Sequence, residues 1–202
     1  MFGMTSDKRR VNRGIQRCSR SALLVVAAGV LPIGCGREPM VTSRSAVRVN
    51  EFAPKNGAYQ DVFGNVSPWI ELYNTGDKDF DLEGYYISDS VNKRFKDQFP
   101  AGYAIADKSV LLLFADAQPL ESSPQEPHLS FKLSHKKGDG IWISDPDGYV
   151  VDSVETSVQP SDDAGTSWTS FARFPDGNGK FQWCSEGTPD KLNGDRCQGD
   201  VL

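Results

Sequence analysis

From Ala46 onward, no stretch of this 202-residue chain carries apolar residues at i, i+3, i+4 and i+7 over three turns. That constrains the fold strongly, because an amphipathic helix needs such a stripe to bury one face. The chain offers short apolar runs between turn signals instead. Val47, Val49 and Phe52 are apolar with polar residues between them. Trp69, Ile70, Leu72 and Tyr73 end at Asn74-Thr75-Gly76-Asp77, and Tyr85-Tyr86-Ile87 follows Gly84. Val110 to Phe114 is apolar throughout, which predicts a buried strand. Leu129, Phe131 and Leu133 alternate strictly. Ile141-Trp142-Ile143 leads into Asp145-Pro146-Asp147-Gly148, and Val150, Val151 and Val154 follow; Asp-Gly supplies the positive φ of a tight hairpin turn. Phe171, Arg173 and Phe174 precede Pro175-Asp176-Gly177, while Ala117 to Pro127 reads as a long polar loop. Strands this short, spaced about eight to twelve residues apart, predict an all-β sandwich or barrel. The 19 glycines and 12 prolines fit a chain of many turns.

The N-terminus obeys a different rule. Residues 1–35 hold six basic side chains against Asp7 alone, followed by an apolar run from Ala22 to Ile33. That run is too short to cross a hydrocarbon core of about 30 Å. A basic region, a short apolar region and small residues at its end describe a secretory signal peptide over residues 1–34. The segment closes on Leu-Pro-Ile-Gly-Cys35, which resembles the lipobox of bacterial lipoproteins. The resemblance implies a lipid on Cys35, a tether over residues 35–45 and a place in the bacterial cell envelope. Pro32 stands where that motif usually has Leu, so a plain cleaved signal peptide, giving a periplasmic or secreted protein, and an uncleaved anchor stay open. Arg9-Arg10 also hints at a twin-arginine signal, although the residues after it fit poorly. The 167 residues after the leader keep 16 basic and 26 acidic side chains, a formal charge of −10. Such a surface disfavours nucleic acid, since non-specific affinity comes from Lys and Arg neutralising phosphates.

Export also explains the cysteines. With Cys18 in the leader and Cys35 assigned to the lipid, Cys184 and Cys197 remain, and in an oxidising compartment they read as a disulfide. A pair of zinc ligands is the alternative, but finger spacing supplies no further ligands nearby.

Asp77, Asp79, Asp81 and Glu83 are spaced two apart, like the acids of a calcium loop. Counted from Asp77, however, the required Gly and Glu positions of an EF-hand are Leu82 and Ser88. Phe80 and Leu82 alternate with the acids, which predicts the wet face of an edge strand; a weak surface calcium site stays as the alternative. The same stretch carries a wider resemblance. Val49-Asn50-Glu51-Phe52, Trp69 to Asn74, Asp81-Leu82 with Gly84-Tyr85 and Ser88-Asp89, and Phe99-Pro100-Ala101-Gly102 with Ile105 stand in order. Val110 to Phe114, Phe131 to Ser134, Gly148 to Val154, Arg173 to Gly177, and Thr188-Pro189 with Asn193 follow. Together they resemble the bacterial lamin-tail domain. The resemblance implies an immunoglobulin-like β-sandwich over residues 46–197 and a non-catalytic interaction module.

Signatures of catalysis are missing: no G-x-S-x-G, H-E-x-x-H or P-loop motif occurs. His128 and His135 read as exposed turn residues, and Glu71 as a structural hydrogen-bonding group. No catalytic residue, metal ligand or cofactor is assigned. Three readings follow. The first is an envelope-anchored, non-enzymatic module that binds a protein. The second is a carbohydrate-binding module, requiring exposed aromatics among Tyr85, Tyr86, Trp142, Trp168 and Phe171. The third is a hydrolase, requiring a cleft around Glu51 and Glu71.

Overall fold

The computed structural model describes residues 45–55, 59–119, 122–134, 140–155 and 169–194. Its strands are β1 (Val47–Ala53), β2 (Trp69–Asn74), β3 (Phe80–Asp81), β4 (Tyr86–Ser88), β5 (Asp97–Gln98), β6 (Ala104–Ile105), β7 (Val110–Phe114), β8 (Gly140–Ser144), β9 (Val150–Glu155), β10 (Ser170–Phe174) and β11 (Lys180–Cys184). One 3-10 turn, Val91–Lys93, lies between β4 and β5. A five-stranded sheet has the order β11-β10-β1-β2-β7 and a four-stranded sheet the order β5-β4-β8-β9, with β3 and β6 forming a small ribbon. All strand pairs are antiparallel. The fold is an immunoglobulin-like β-sandwich, as the sequence predicts.

Alternation builds the core. Val47, Val49, Phe52, Ile70, Leu72, Leu111 and Leu113 face inward from the larger sheet, and Ile87, Ile141, Ile143, Val151 and Val154 meet them from the smaller one. The other face of the larger sheet is also covered. Trp69, Leu112, Phe114 and Ala53 form a second cluster there. Tyr59 stacks on Phe114, and Gly187 passes over Trp69 so closely that a Cβ would sit 3.0 Å from the ring. Double coverage explains why Val110–Phe114 is apolar at every position rather than at alternate ones.

The hairpin predicted at Asp145–Gly148 joins β8 to β9, with Gly148 at φ +85° and its amide donating to Asp145 O. Leu129, Phe131 and Leu133 are buried between exposed Ser130 and Lys132, as the alternation predicts. That segment makes only isolated bridges, Phe114 with His128 and Asp116 with Lys132, rather than a strand. Asp77, Asp79, Asp81 and Glu83 are all exposed, on and around β3. Asp79 accepts the Asp107 amide and Asp81 the Glu83 amide, so these acids cap turns on a wet surface. The strand β11, Lys-Phe-Gln-Trp-Cys, is an addition the sequence reading does not contain. Cys184 at its end is fully buried and disulfide-bonded. Cys35, Cys197, Trp168 and His135 lie outside the described residues.

Candidate functional site

A bulge organises the polar heart of the molecule. The register of β1 against β2 shifts between Val49 and Glu51, so Asn50 is the extra residue and Glu51 comes to lie opposite Glu71. Both glutamates are fully buried on the outer face of the larger sheet. Asn50 donates to Glu71 Oε1 (3.2 Å) and to Asp176 Oδ1 (2.8 Å), while its own Oδ1 accepts the Gly177 amide (2.9 Å). The Thr188 amide lies 3.1 Å from both Glu51 oxygens. Asn193 Nδ2 donates to Arg173 O (2.7 Å), and the Asn193 amide to Asp176 (3.0 Å). Asn50-Glu51, Trp-Ile-Glu71, Arg173 to Gly177 and Thr188 with Asn193 are therefore one network, though they are scattered through the sequence. Glu71 fulfils the structural role expected of it through Oε1.

Burial dominates the electrostatics. Desolvation pushes the Glu71 carboxyl well above its ordinary range, reinforced by the neighbouring Glu51, and burial raises Glu51 as well. Geometry agrees. Thr188 Oγ lies 2.6 Å from Glu51 Oε2 and 3.0 Å from Asn193 Oδ1, yet has one proton. A protonated Glu51 donating to that hydroxyl satisfies both contacts. Glu71 Oε2 has no hydrogen-bond partner among the described residues, although the Asp190 and Lys191 amides act to lower its pKa. A carboxyl whose folded pKa is raised contributes stability that is full below its unfolded value, near 4.5, and is lost as pH rises through the folded one. Glu71→Gln is therefore expected to flatten the fall in thermal midpoint above pH 5, each unit of removed shift being worth about 1.4 kcal/mol. Parallel wild-type and variant curves would show that Glu71 is not the group responsible. The hollow above the network is lined by Tyr59 and the loop from Gly187 to Gly194, and neither glutamate lines it. Among the described residues, no hollow is lined by either acid.

The surface aromatics divide. Trp142 is only 7% exposed, because its indole lies across Gly140, where a Cβ would overlap the ring. It is not part of an exposed patch. Tyr85 is half-buried against Phe80 (5.3 Å between centroids), and Phe171 is half-buried between Phe52, Phe181 and Trp183. Tyr86 is half-buried too, but it meets Phe95 edge-on at 4.9 Å, and Phe95 is 56% exposed. Phe95 also packs against Gly148, next to Tyr149, which is 49% exposed, and Val91 completes an apolar surface. Lys93, Arg94 and Lys96 line the depression around Phe95. Lys96 pairs with Asp89, whereas Lys93 and Arg94 have no ion-pair partner among the described residues.

Compared with known protein families, residues 41–157 match the model of the lamin tail domain, more than half of the chain. The chain belongs to the lamin tail domain family. No curated protein matches it. Lamin tail domains are non-enzymatic immunoglobulin-like domains, in keeping with an interaction role. In this one β10 and β11 lie beyond the matched span, yet β10 pairs with β1, so the larger sheet is complete only with residues past 157.

One side chain in this lamin tail domain contradicts the sequence reading. His128 is not an exposed turn residue: it is 3% exposed, stacked on Phe114 at 5.2 Å, with Nδ1 2.7 Å from Asp116 Oδ2. Nothing in its local sequence, Pro127-His128-Leu129, announces this. Its burial comes from packing on the outer face of the larger sheet, which a strand pattern does not reveal. The missed surface residues, Phe95 and Tyr149, lie in the connections between strands, outside any alternating run, and nothing in their local sequence distinguishes them from covered loop aromatics.

Proposed function

We propose that this chain is a non-catalytic interaction module, held at the bacterial envelope by a lipid on Cys35, that binds another protein through the surface around Phe95. The observation that carries the reading is Phe95 itself: an exposed aromatic between Lys93, Arg94 and Lys96, on a mature part whose formal charge is −10. Exposed aromatics beside unpaired cations are the composition of binding hot spots. The local basic cluster selects a partner segment that joins acidic and apolar side chains. A glycan platform has less support, since Trp142 is buried. Pairing of Cys184 with Cys197 belongs to the same proposal and would fasten the C-terminal segment in an oxidising compartment.

Photo-crosslinking in intact cells tests it, with the probe at Tyr149. One protein adduct is expected, its crosslinked peptide acidic and apolar, from a membrane-fraction protein whose N-terminus is lipidated Cys35. Phe95→Asp or Arg94→Glu is expected to abolish the adduct and to move the thermal midpoint by no more than about 2 °C, since exposed substitutions cost about 0.5 kcal/mol. Capture of glycan alone, or an adduct that survives both substitutions, rejects this surface. A lipid-free mature protein in the soluble fraction rejects the anchor.

A further inference from the structure

We propose that Asp61, Asp116 and His128 form a binding site for one divalent transition-metal ion of the zinc and manganese class. The three come from separate parts of the chain. Asp61 lies in the connection between β1 and β2, Asp116 two residues after β7, and His128 further on, beside Phe114. All three are buried, and one donor atom from each lies within 4.8 Å of the other two. Donors bound tetrahedrally to an ion at about 2.0–2.2 Å sit about 3.3–3.6 Å from one another, so side chains within 4.8 Å must close by no more than about 1.5 Å, while Nδ1 and Asp116 Oδ2, 2.7 Å apart, must open a little.

Charge is the second argument. Glu126 reaches the same imidazole, with Oε1 3.3 Å from Nε2, which makes three carboxylates around one histidine. No Lys or Arg pairs with Asp61, Asp116 or Glu126 among the described residues. Even a charged imidazolium leaves two negative charges uncompensated, with two of the carboxylates buried. Buried charges are ordinarily paired or hold metal.

The surroundings are those of a prepared site. Asp61 Oδ1 accepts the Phe63 and Asn65 amides at 2.9 and 2.7 Å, and Oδ2 accepts Asn65 Nδ2 at 3.0 Å. Asp116 Oδ1 accepts the Gln118 amide at 3.0 Å, leaving Oδ2 toward His128 Nδ1. The ring is held flat against Phe114. Hydrogen bonds of this kind fix ligand orientation in metal sites. An ion here would take the place of the proton between Nδ1 and Asp116 Oδ2. Two carboxylates and one imidazole suit zinc or manganese better than calcium, which prefers six or more oxygens.

The test uses the full 202-residue chain, titrated with zinc chloride by calorimetry and followed by thermal unfolding. One bound equivalent is expected, with a midpoint raised by about 5–10 °C at a hundredfold excess over Kd. Cobalt(II) in place of zinc should give visible d–d absorption. His128→Gln and Asp61→Asn should each lose both signals while keeping a native near-ultraviolet spectrum. The amide oxygen introduced by Asp61→Asn can still accept the Phe63 and Asn65 amides, so that variant is expected to fold. Glu126→Gln should weaken binding about 10–100-fold. Absence of stoichiometric binding, or zinc stabilisation unchanged in His128→Gln and Asp61→Asn, overturns the site. The second result would place zinc elsewhere on the chain.

Discussion

Arg173→Ala is expected to lower the thermal midpoint by about 10 °C. Arg173 is on β10 in the larger sheet, and its Nη2 donates to both oxygens of Asp152 on β9 in the smaller one, at 3.0 and 2.9 Å. Nε donates to Val49 O at 2.8 Å and Nη1 to Gly179 O at 3.2 Å, while the guanidinium lies 4.4 Å from the Phe181 ring centroid. Asp152 also accepts the Val49 amide at 2.8 Å. One side chain thus joins both sheets and three strands. Both partners are largely shielded, so truncating one strands a charge, and breaking such a pair costs about 3–5 kcal/mol. In a chain of this size each kcal/mol moves the midpoint by about 2–4 °C. Differential scanning calorimetry checks the shift. Asp152→Asn, which keeps an acceptor for Val49, should lose less. A change below about 2 °C for Arg173→Ala would falsify the cross-link as a major support.

Phe52→Ala is the other large effect, an expected loss of about 3–5 kcal/mol. Phe52 is fully buried on the central strand β1 and meets Phe171 at 5.7 Å and Phe181 at 6.1 Å. Its removal opens a void beneath the strands that carry the C-terminal part of the larger sheet, and rigid β pairing on both sides of β1 limits collapse into it. Urea denaturation should show the midpoint concentration falling with an unchanged slope. Phe52→Leu, which keeps most of the volume, should recover most of the loss. Equal losses for Ala and Leu would mean that the effect comes from something other than the cavity.

Both residues show what the sequence makes legible. Period-two alternation follows directly from strand geometry, so the β class and core residues such as Leu129, Phe131 and Leu133 are readable, whereas Phe52 joins the face of Val47 and Val49 only through the bulge at Asn50. Val110–Phe114 is readable as buried because an unbroken apolar run of that length suits a strand covered on both faces. Arg173 and Asp152 each appear in a recognisable motif, but their meeting across the sandwich depends on sheet packing, which a linear pattern does not encode. The bulge at Asn50 is hidden as well. One extra residue reverses which face Glu51 occupies, and this sets it opposite Glu71 as a buried facing pair. His128 and Phe95 mark the two opposite failures. A polar residue in a loop reads as exposed and is covered, whereas an aromatic in a basic turn draws no notice in the sequence and is exposed. Turn and loop residues take their burial from what packs over them, not from their neighbours in sequence.

The central place of β1 sets a schedule for folding. The strand is made first, yet Glu51 pairs with Ala172, near the end of the domain. The larger sheet therefore cannot close until almost the whole chain has been synthesised and, if exported unfolded, has emerged on the far side of the membrane. Until then β1 keeps one strand edge without its native partner, a surface prone to pairing with other chains. Contacts so distant in sequence also place folding in the slow range for small domains, about milliseconds to seconds. A truncation that stops before β10 should consequently aggregate rather than form a smaller sandwich.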